Sequence, residues 1–523
     1  MLKNVLAVGL SLCVGLTSHP LSAADPDLRA STRQLIVRLE DDGLRHIQAV
    51  RRNDTVPDIR LPDGRPLSFI RHFNGNGMVV RLPADVSLEE ARRIAEQLAE
   101  NPAVASAQPD KRVYPAMVVV PNDPEFDNQW HLFEDTAGIR MPAAWGQETG
   151  SGSIVIGQLD TGIINHTDLD PNGDRILAGY DFFSGTNGTV DRDITPGRDS
   201  DPTDPGDWAE DGDECFVGDP LKDRSSWHGL AVAGVMVAQS NNDTDIAGID
   251  FAAKLLPVRV LGTCGGSSTD VIDAIRWAAG FTVDGIPNPI RAQVINLSLS
   301  GDGSCSFEEQ AAINDAVNAG AVVVVAAGNE GTDVATISPA NCDNVVTVAA
   351  VGRDGSRASY MNAGEEVDLS GPGGDGDGRT DGILTLWNDG QTIPGNNRVA
   401  FIEGTSFTTA QTSAVAALMW AANGSELTPG MIQEILRRTT RAFPDSSCNT
   451  STCGTGILDA DAALAGALDP ASVLGATANT GGGGGGCALV VYESSRFDPL
   501  FVLLLMAAGL RWCRRCSKSV FPE

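Results

Sequence analysis

The sequence predicts an α/β protein: a three-layer α/β/α domain on a mainly parallel central sheet, preceded by a small α+β domain. Two observations carry this. Apolar runs rich in Val and Ile recur at 153–160, 254–261, 292–300, 321–329 and 344–351. Helical patterning separates most of them, at His228 to Gln239, Thr269 to Ala279 and Phe307 to Asn318. A strand buried on both faces reads as a continuous apolar run, and alternation with helices marks a parallel sheet covered on both sides. In such sheets, chemistry gathers in loops at the carboxyl ends of strands, where Asp160 and Asn329 fall.

The chain divides by composition. Residues 1–24 read as a secretory signal: one Lys, the apolar run of MLKNVLAVGLSLCVGL, then the small residues of SAAD. Residues 25–116 form a separate unit in which RQLIVRL and GMVVRLP read as strands and VASAQPDKRVYP as an edge strand. SLEEARRIAEQLAENP reads as a helix, with Ser87 as its cap, Glu90 three residues on and Pro102 beyond its end. A strand-and-helix sandwich ahead of the main domain of a secreted chain predicts a propeptide. The main domain is expected over 117–469, followed by a linker at 470–486 that ends in six glycines. The tail, 487–523, holds PLFVLLLMAAGL and then the basic RWCRRCSK. That apolar run falls short of the ~20 residues of a spanning helix, which favours a transient sorting signal over a permanent anchor.

At 523 residues, 42% hydrophobic and 20% charged, with 58 glycines, the chain is globular, rich in turns and long enough for more than one domain. Its net charge of −31 argues against nucleic acid or an anionic membrane surface as partner. Secretion makes the ten cysteines disulfide candidates. Six lie in the body of the chain: Cys215, Cys264, Cys305, Cys342, Cys448 and Cys453. Six cysteines allow about 15 pairings, of which proximity favours Cys448–Cys453.

Three stretches set polar residues among small apolar ones: Asp160 in QLDTGI, His228 in SWHGLAVAG and Ser406 in EGTSFTTAQTSAVAALMWAA. A serine hydroxyl becomes a nucleophile when a base takes its proton, and the base needs a carboxylate to fix its tautomer. A serine at a helix start also gains free backbone N–H groups facing developing negative charge. Asn329, in AAGNEG, offers a side-chain N–H to the same oxyanion.

The order Asp, His, Ser, with Asn329 between the last two, resembles the subtilisin-like serine proteases of secreted Gram-negative bacterial type. Four motifs carry the resemblance: VIGQLDTGI, SWHGLAVAG, VVVVAAGNEG and GTSFTTA. It implies a peptide-bond hydrolase with Asp160, His228 and Ser406 as triad and Asn329 in the oxyanion hole. It also implies a substrate strand at Ser298, Leu299 and Ser300. The alternative is a protease fold kept as a weak or inactive surface-binding protein. Two stretches depart from the family pattern. Leu230 and Ala231 stand where a Thr and a second His are usual, and Phe407-Thr408-Thr409-Ala410 replaces Met-Ala-x-Pro.

The same resemblance implies that the 25–116 unit is an inhibitory, chaperone-like propeptide cut away between Pro115 and Pro121. It implies the disulfides Cys215–Cys264 and Cys305–Cys342 beside Cys448–Cys453, and a monomer acting on protein and peptide substrates. Structural calcium is expected at Gln129, Asp168 and Asn241 or Asn242, with a second acidic loop offering Asp199, Asp201 and Asp204. The Gly-run, Cys, apolar stretch and basic end resemble glycine–cysteine sorting signals, which a membrane protease cuts near the Cys. The protein is thus expected outside the cell or at its surface.

Overall fold

The computed structural model describes residues 31–40, 61, 67–73, 77–110, 118–170, 173–220, 223–376, 380–424 and 426–475. Ahead of the main domain, β1 (Ser31–Leu39), β2 (Ser68–Phe73), β3 (Gly77–Ser87) and β4 (Val104–Pro109) form an antiparallel sheet in the order β2-β3-β1-β4. Helix α1 (Leu88–Ala99) starts where Ser87 Oγ accepts the Glu90 N–H at 3.1 Å, and it packs on β1, β3 and β4. This unit has its own core, in which Leu35, Val37, Met78, Val80 and Leu98 are buried. Arg92 of α1 pairs with Asp469 of the main domain.

The main domain is built on seven parallel strands in the order β13-β12-β10-β8-β5-β7-β6. They are β5 (Val155–Asp160), β6 (Tyr180–Asp181), β7 (Lys254–Arg259), β8 (Val294–Leu297), β10 (Val322–Ala326), β12 (Val346–Val351) and β13 (Leu369–Pro372). Every residue of β5, β8, β10 and β12 is buried, which is why these strands appear in the sequence as unbroken apolar runs. Helices α2 (His228–Val237) and α5 (Thr405–Asn423) pack together over one face. Helices α3 (Ser268–Ala278) and α4 (Phe307–Asn318) pack together over the other. Two short pairs flank the sheet: β9 (Gly301–Asp302) with β11 (Ile337–Ser338), and β14 (Ile383–Asn388) with β15 (Asn397–Ile402).

The chain runs from β5 to β7 on one side and then crosses to β8 on the other, so β5 is where the strand order turns. That arrangement opens a crevice above the carboxyl ends of β5 and β8. Helices α6 (Pro429–Arg438) and α7 (Ala460–Leu468) complete the main domain, and Pro470–Leu474 is helical rather than linker. The disulfides Cys215–Cys264, Cys305–Cys342 and Cys448–Cys453 are all formed. The expected signal, the 115–121 junction up to residue 117 and the tail from residue 476 lie outside the described residues. Among the described residues no helix is long and apolar enough to cross a membrane.

Candidate active site

Asp160 ends β5 with its side chain buried, and its Oδ1 meets His228 Nδ1 at 2.7 Å. The Thr161 N–H donates to the same oxygen at 2.8 Å, which fixes the carboxylate against rotation. His228 opens α2 just after Trp227, whose φ of 47° lies in the left-handed region. Such a conformation costs a bulky residue on the order of 1–3 kcal/mol. Full burial of the indole and its Nε1–H bond to the Gly390 carbonyl at 2.7 Å hold it there. Gly229 is needed for a different reason. A Cβ at that position would sit 2.0 Å from the Gly162 carbonyl oxygen, so only glycine lets the helix start approach the Asp160 turn this closely.

Burial of the His228 ring opposes its protonation, but the carboxylates of Asp160, Asp207 and Asp204 outweigh that effect. The net result holds its pKa above the ordinary 6.5.

Ser406 lies in the first turn of α5, where backbone N–H groups lack helical partners. Its Oγ rests 3.4 Å from the Ser298 carbonyl, and Ser298 Oγ returns a bond to the Ser406 carbonyl at 2.9 Å. Asn329 follows β10. Its Oδ1 accepts the Thr405 N–H at 3.0 Å and the Thr405 hydroxyl at 2.9 Å. With the oxygen held on that side, the amide Nδ2 is left for the cleft. His228, Ser406, Asn329, Ser298, Leu299 and Ser300 all line one open cleft of about 700 Å3. The structure therefore gathers all seven residues expected from the sequence for triad, oxyanion hole and substrate strand: six line this cleft, and Asp160 is held behind His228.

Of the unusual neighbours of these residues, Leu230, Ala231, Thr408 and Thr409 are engaged away from the chemistry. Leu230 and Ala231 are fully buried, and the Ala231 carbonyl accepts the Thr385 hydroxyl of β14 at 2.6 Å. Thr408 and Thr409 return their hydroxyls to the Thr405 carbonyl at 2.7 and 2.8 Å, so both are satisfied within the helix. The Phe407 ring centroid lies 6.3 Å from that of His228.

The metal expectations fare differently. Gln129 is tied to a neighbouring stretch of the chain, its amide bonding both backbone groups of Ala247, each at 2.8 Å. Asp168, expected beside it, instead accepts Asn242 Nδ2 at 2.7 Å and the Ile246 N–H at 3.0 Å. Its companion is Asp123, which the sequence reading missed and which accepts the backbone N–H groups of Asn241 at 2.9 Å and Asn242 at 3.4 Å. The signal lay in PNDPEF, an aspartate held between two prolines at the start of the main domain. Both carboxylates are buried, and burial pushes both pKa values up, that of Asp168 to about 7. Asp243 adds negative potential to Asp123, and Asp245 to Asp168. Buried carboxylates of this kind, beside amide and backbone oxygens, are donors that suit Ca2+. Among the described residues no three His, Cys, Asp or Glu side chains gather as metal ligands.

The second expected set does not converge. Asp199 Oδ1 accepts the Asp201 N–H and Asp201 Oδ1 accepts the Thr203 N–H, at 2.7 and 3.1 Å, both near the surface. Asp204 instead turns inward to Thr161.

The model of the subtilase family matches residues 151–462, more than half of the 523, and the chain belongs to that family. An extracellular protease of Xanthomonas campestris is 43% identical over 404 residues, covering 77% of this chain and 66% of that protein. An extracellular basic protease of Dichelobacter nodosus is 37% identical over 407 residues, covering 77% and 64%. The chain thus spans just under two thirds of the length of these relatives. A solved protease structure from Pseudoalteromonas arctica matches with a TM-score of 0.62 and 46% identity, over 67% of this chain and 100% of that one.

Proposed function

We propose that the protein is the precursor of a secreted serine endopeptidase. The observation that carries this is the Asp160–His228 bond at 2.7 Å in a cleft that Ser406, at the start of a helix, also lines. Asp160 keeps the proton on His228 Nδ1, so that Nε2 accepts the proton of Ser406 Oγ as it turns from Ser298 to attack the scissile carbonyl. Asn329 Nδ2 and the Ser406 N–H hold the oxyanion. His228 then protonates the leaving amine, and water frees the acyl-enzyme. Ser298–Ser300 align the substrate as an added strand. The test is release of soluble peptides from denatured casein, abolished by a fluorophosphonate. Intact casein with active-site titration at zero overturns the reading.

Two predictions follow from the geometry. Asn329→Ala is expected to lower kcat by about 100- to 1000-fold with KM little changed, because the amide meets charge that exists only in the transition state. Steady-state kinetics on a peptide substrate decide it, and a change confined to KM would contradict the role. Secondly, His228 works only when neutral. Since its folded pKa is raised, kcat/KM rises with pH through a midpoint above 6.5. A midpoint below that value contradicts the electrostatic account.

The unit at 25–116 acts as inhibitor and folding aid until it is cut away between Pro115 and Pro121, by the enzyme itself. Its support is a sheet-and-helix body with a core of its own. Secretion rests on the signal-like start and on the extracellular relatives. The tail, by its composition, takes the mature monomer to a membrane sorting protease. Ca2+ is held by Asp123, Asp168 and the Asn241–Asn242 loop, which it ties to the start of the main domain. Chelation is expected to lower the melting temperature of the Ser406→Ala chain, a protein unable to digest itself. A site held at a hundredfold above its Kd contributes about 2.7 kcal/mol. The Ca2+-dependent shift disappears in Asp168→Asn; a shift that persists there places the ion elsewhere.

A further inference from the structure

The acidic loop 199–207 grips the chain on both sides of the catalytic base. Asp204 is 1% exposed. Its Oδ2 accepts the Thr161 hydroxyl at 2.7 Å, and its Oδ1 accepts the Gly206 N–H at 2.8 Å. The Thr161 oxygen in turn accepts the Gly229 N–H at 3.0 Å. A hydroxyl has one proton to give, and here it goes to Asp204, leaving a lone pair aimed at the residue after His228. The backbone follows the same path: Ile163 N–H donates to the Pro202 carbonyl and Asp204 N–H to the Ile163 carbonyl, both at 3.0 Å. Three residues further on, Asp207 accepts the N–H and the hydroxyl of Ser226, both at 2.6 Å. Ser226 and Gly229 bracket the left-handed Trp227 and His228.

We propose that Asp204 and Asp207 are positioning residues that hold His228 in line between Asp160 and Ser406, Asp204 through Thr161 and Gly229, Asp207 through Ser226. The inference rests on the triad reading above. It gives the loop a catalytic duty in place of the calcium site expected from its composition. The charged groups facing His228 are Asp160 from β5 and Asp204 and Asp207 from this loop, while Arg259 of β7 faces Asp204. The loop therefore sets both the place of the imidazole and the negative potential around it.

The test expresses the full chain as wild type, Asp204→Ala, Asp204→Asn and Asp207→Asn, and measures kcat, KM, melting temperature and the pH profile of kcat/KM on one peptide. Alanine removes the acceptor for Thr161, whereas asparagine keeps one by turning its oxygen to Thr161 and gives up the Gly206 bond. Asp204→Ala is expected to lose about 10- to 100-fold in kcat with KM unchanged, the cost of a misplaced catalytic group, and Asp204→Asn to recover most of it. Asp207→Asn withdraws negative charge from beside His228, so its acid limb moves to lower pH. Wild-type kcat in Asp204→Ala, or an acid limb that does not move in Asp207→Asn, overturns the proposal. So does equal loss in both Asp204 variants that tracks melting temperature alone. If Asp204→Ala does not fold, the Asp204→Asn kinetics and the Asp207→Asn limb decide by the same criteria. An inactive wild type overturns the protease reading itself, and this inference with it.

Discussion

Ser406→Ala is expected to lower kcat by about 10^6-fold and to leave the chain at its full precursor length. In a protease of this class, loss of the serine alone costs about as much as loss of the whole triad, because the three residues act as one unit. The residual rate over water comes from the oxyanion hole and from substrate binding, which Ser406→Ala leaves in place through Asn329 and Ser298–Ser300. Substrate affinity is therefore expected to survive. Single-turnover kinetics beside a peptide-binding measurement separate the two effects. A variant that still cuts within tenfold of the wild type would place the nucleophile elsewhere.

Asp160→Asn is expected to cost about 10^4-fold in kcat, at little cost in fold stability. The side chain keeps its shape, and turning its amide N–H to His228 gives up only the Thr161 N–H bond, at 2.8 Å, that now shares Oδ1 with Nδ1. What changes is the partner offered to His228 Nδ1. A carboxylate only accepts, so it holds the proton on Nδ1 and leaves Nε2 free to act as base. An amide N–H turned to Nδ1 puts the proton on Nε2, the wrong nitrogen for taking one from Ser406. The variant should also lose the attraction that raises the His228 pKa. The residual activity of Asp160→Asn should thus show an acid limb at lower pH than the wild type. Circular dichroism with a pH–rate series checks this, and an unchanged rate would remove Asp160 from the triad.

Much of this architecture is written in the sequence, for physical reasons. β10 is buried along its whole length, so it can hold only apolar residues and reads as Val-Val-Val-Val-Ala. α4 begins at a capping box in which Ser306 and Glu309 satisfy each other's backbone N–H groups, so its start is a local chemical signal. The residues proposed as the triad stand out because each interrupts an apolar, glycine-flanked stretch whose packing alone does not call for it.

Other parts leave little local trace. β13, Leu-Ser-Gly-Pro, is only four residues long and holds the two residues least favoured in strands. Its place comes from pairing with β12, a tertiary fact. The hairpin of β14 and β15 carries exposed and half-buried positions on its second strand, and no continuous run marks it. The acidic loop misleads in a different way. Composition shows many carboxylates, but it does not show that Asp204 is buried against Thr161 while Asp201 stays exposed. The setting of Gln129 is equally silent, since nothing local tells that Ala247, far along the chain, bonds both ends of its amide.

The most direct test of the central claim is to treat the secreted wild-type protein with a fluorophosphonate and locate the adduct by peptide mass spectrometry. One adduct is expected, on the peptide carrying Ser406, in a chain that now begins between residues 115 and 121. An unlabelled chain, or an adduct on another serine, would contradict it.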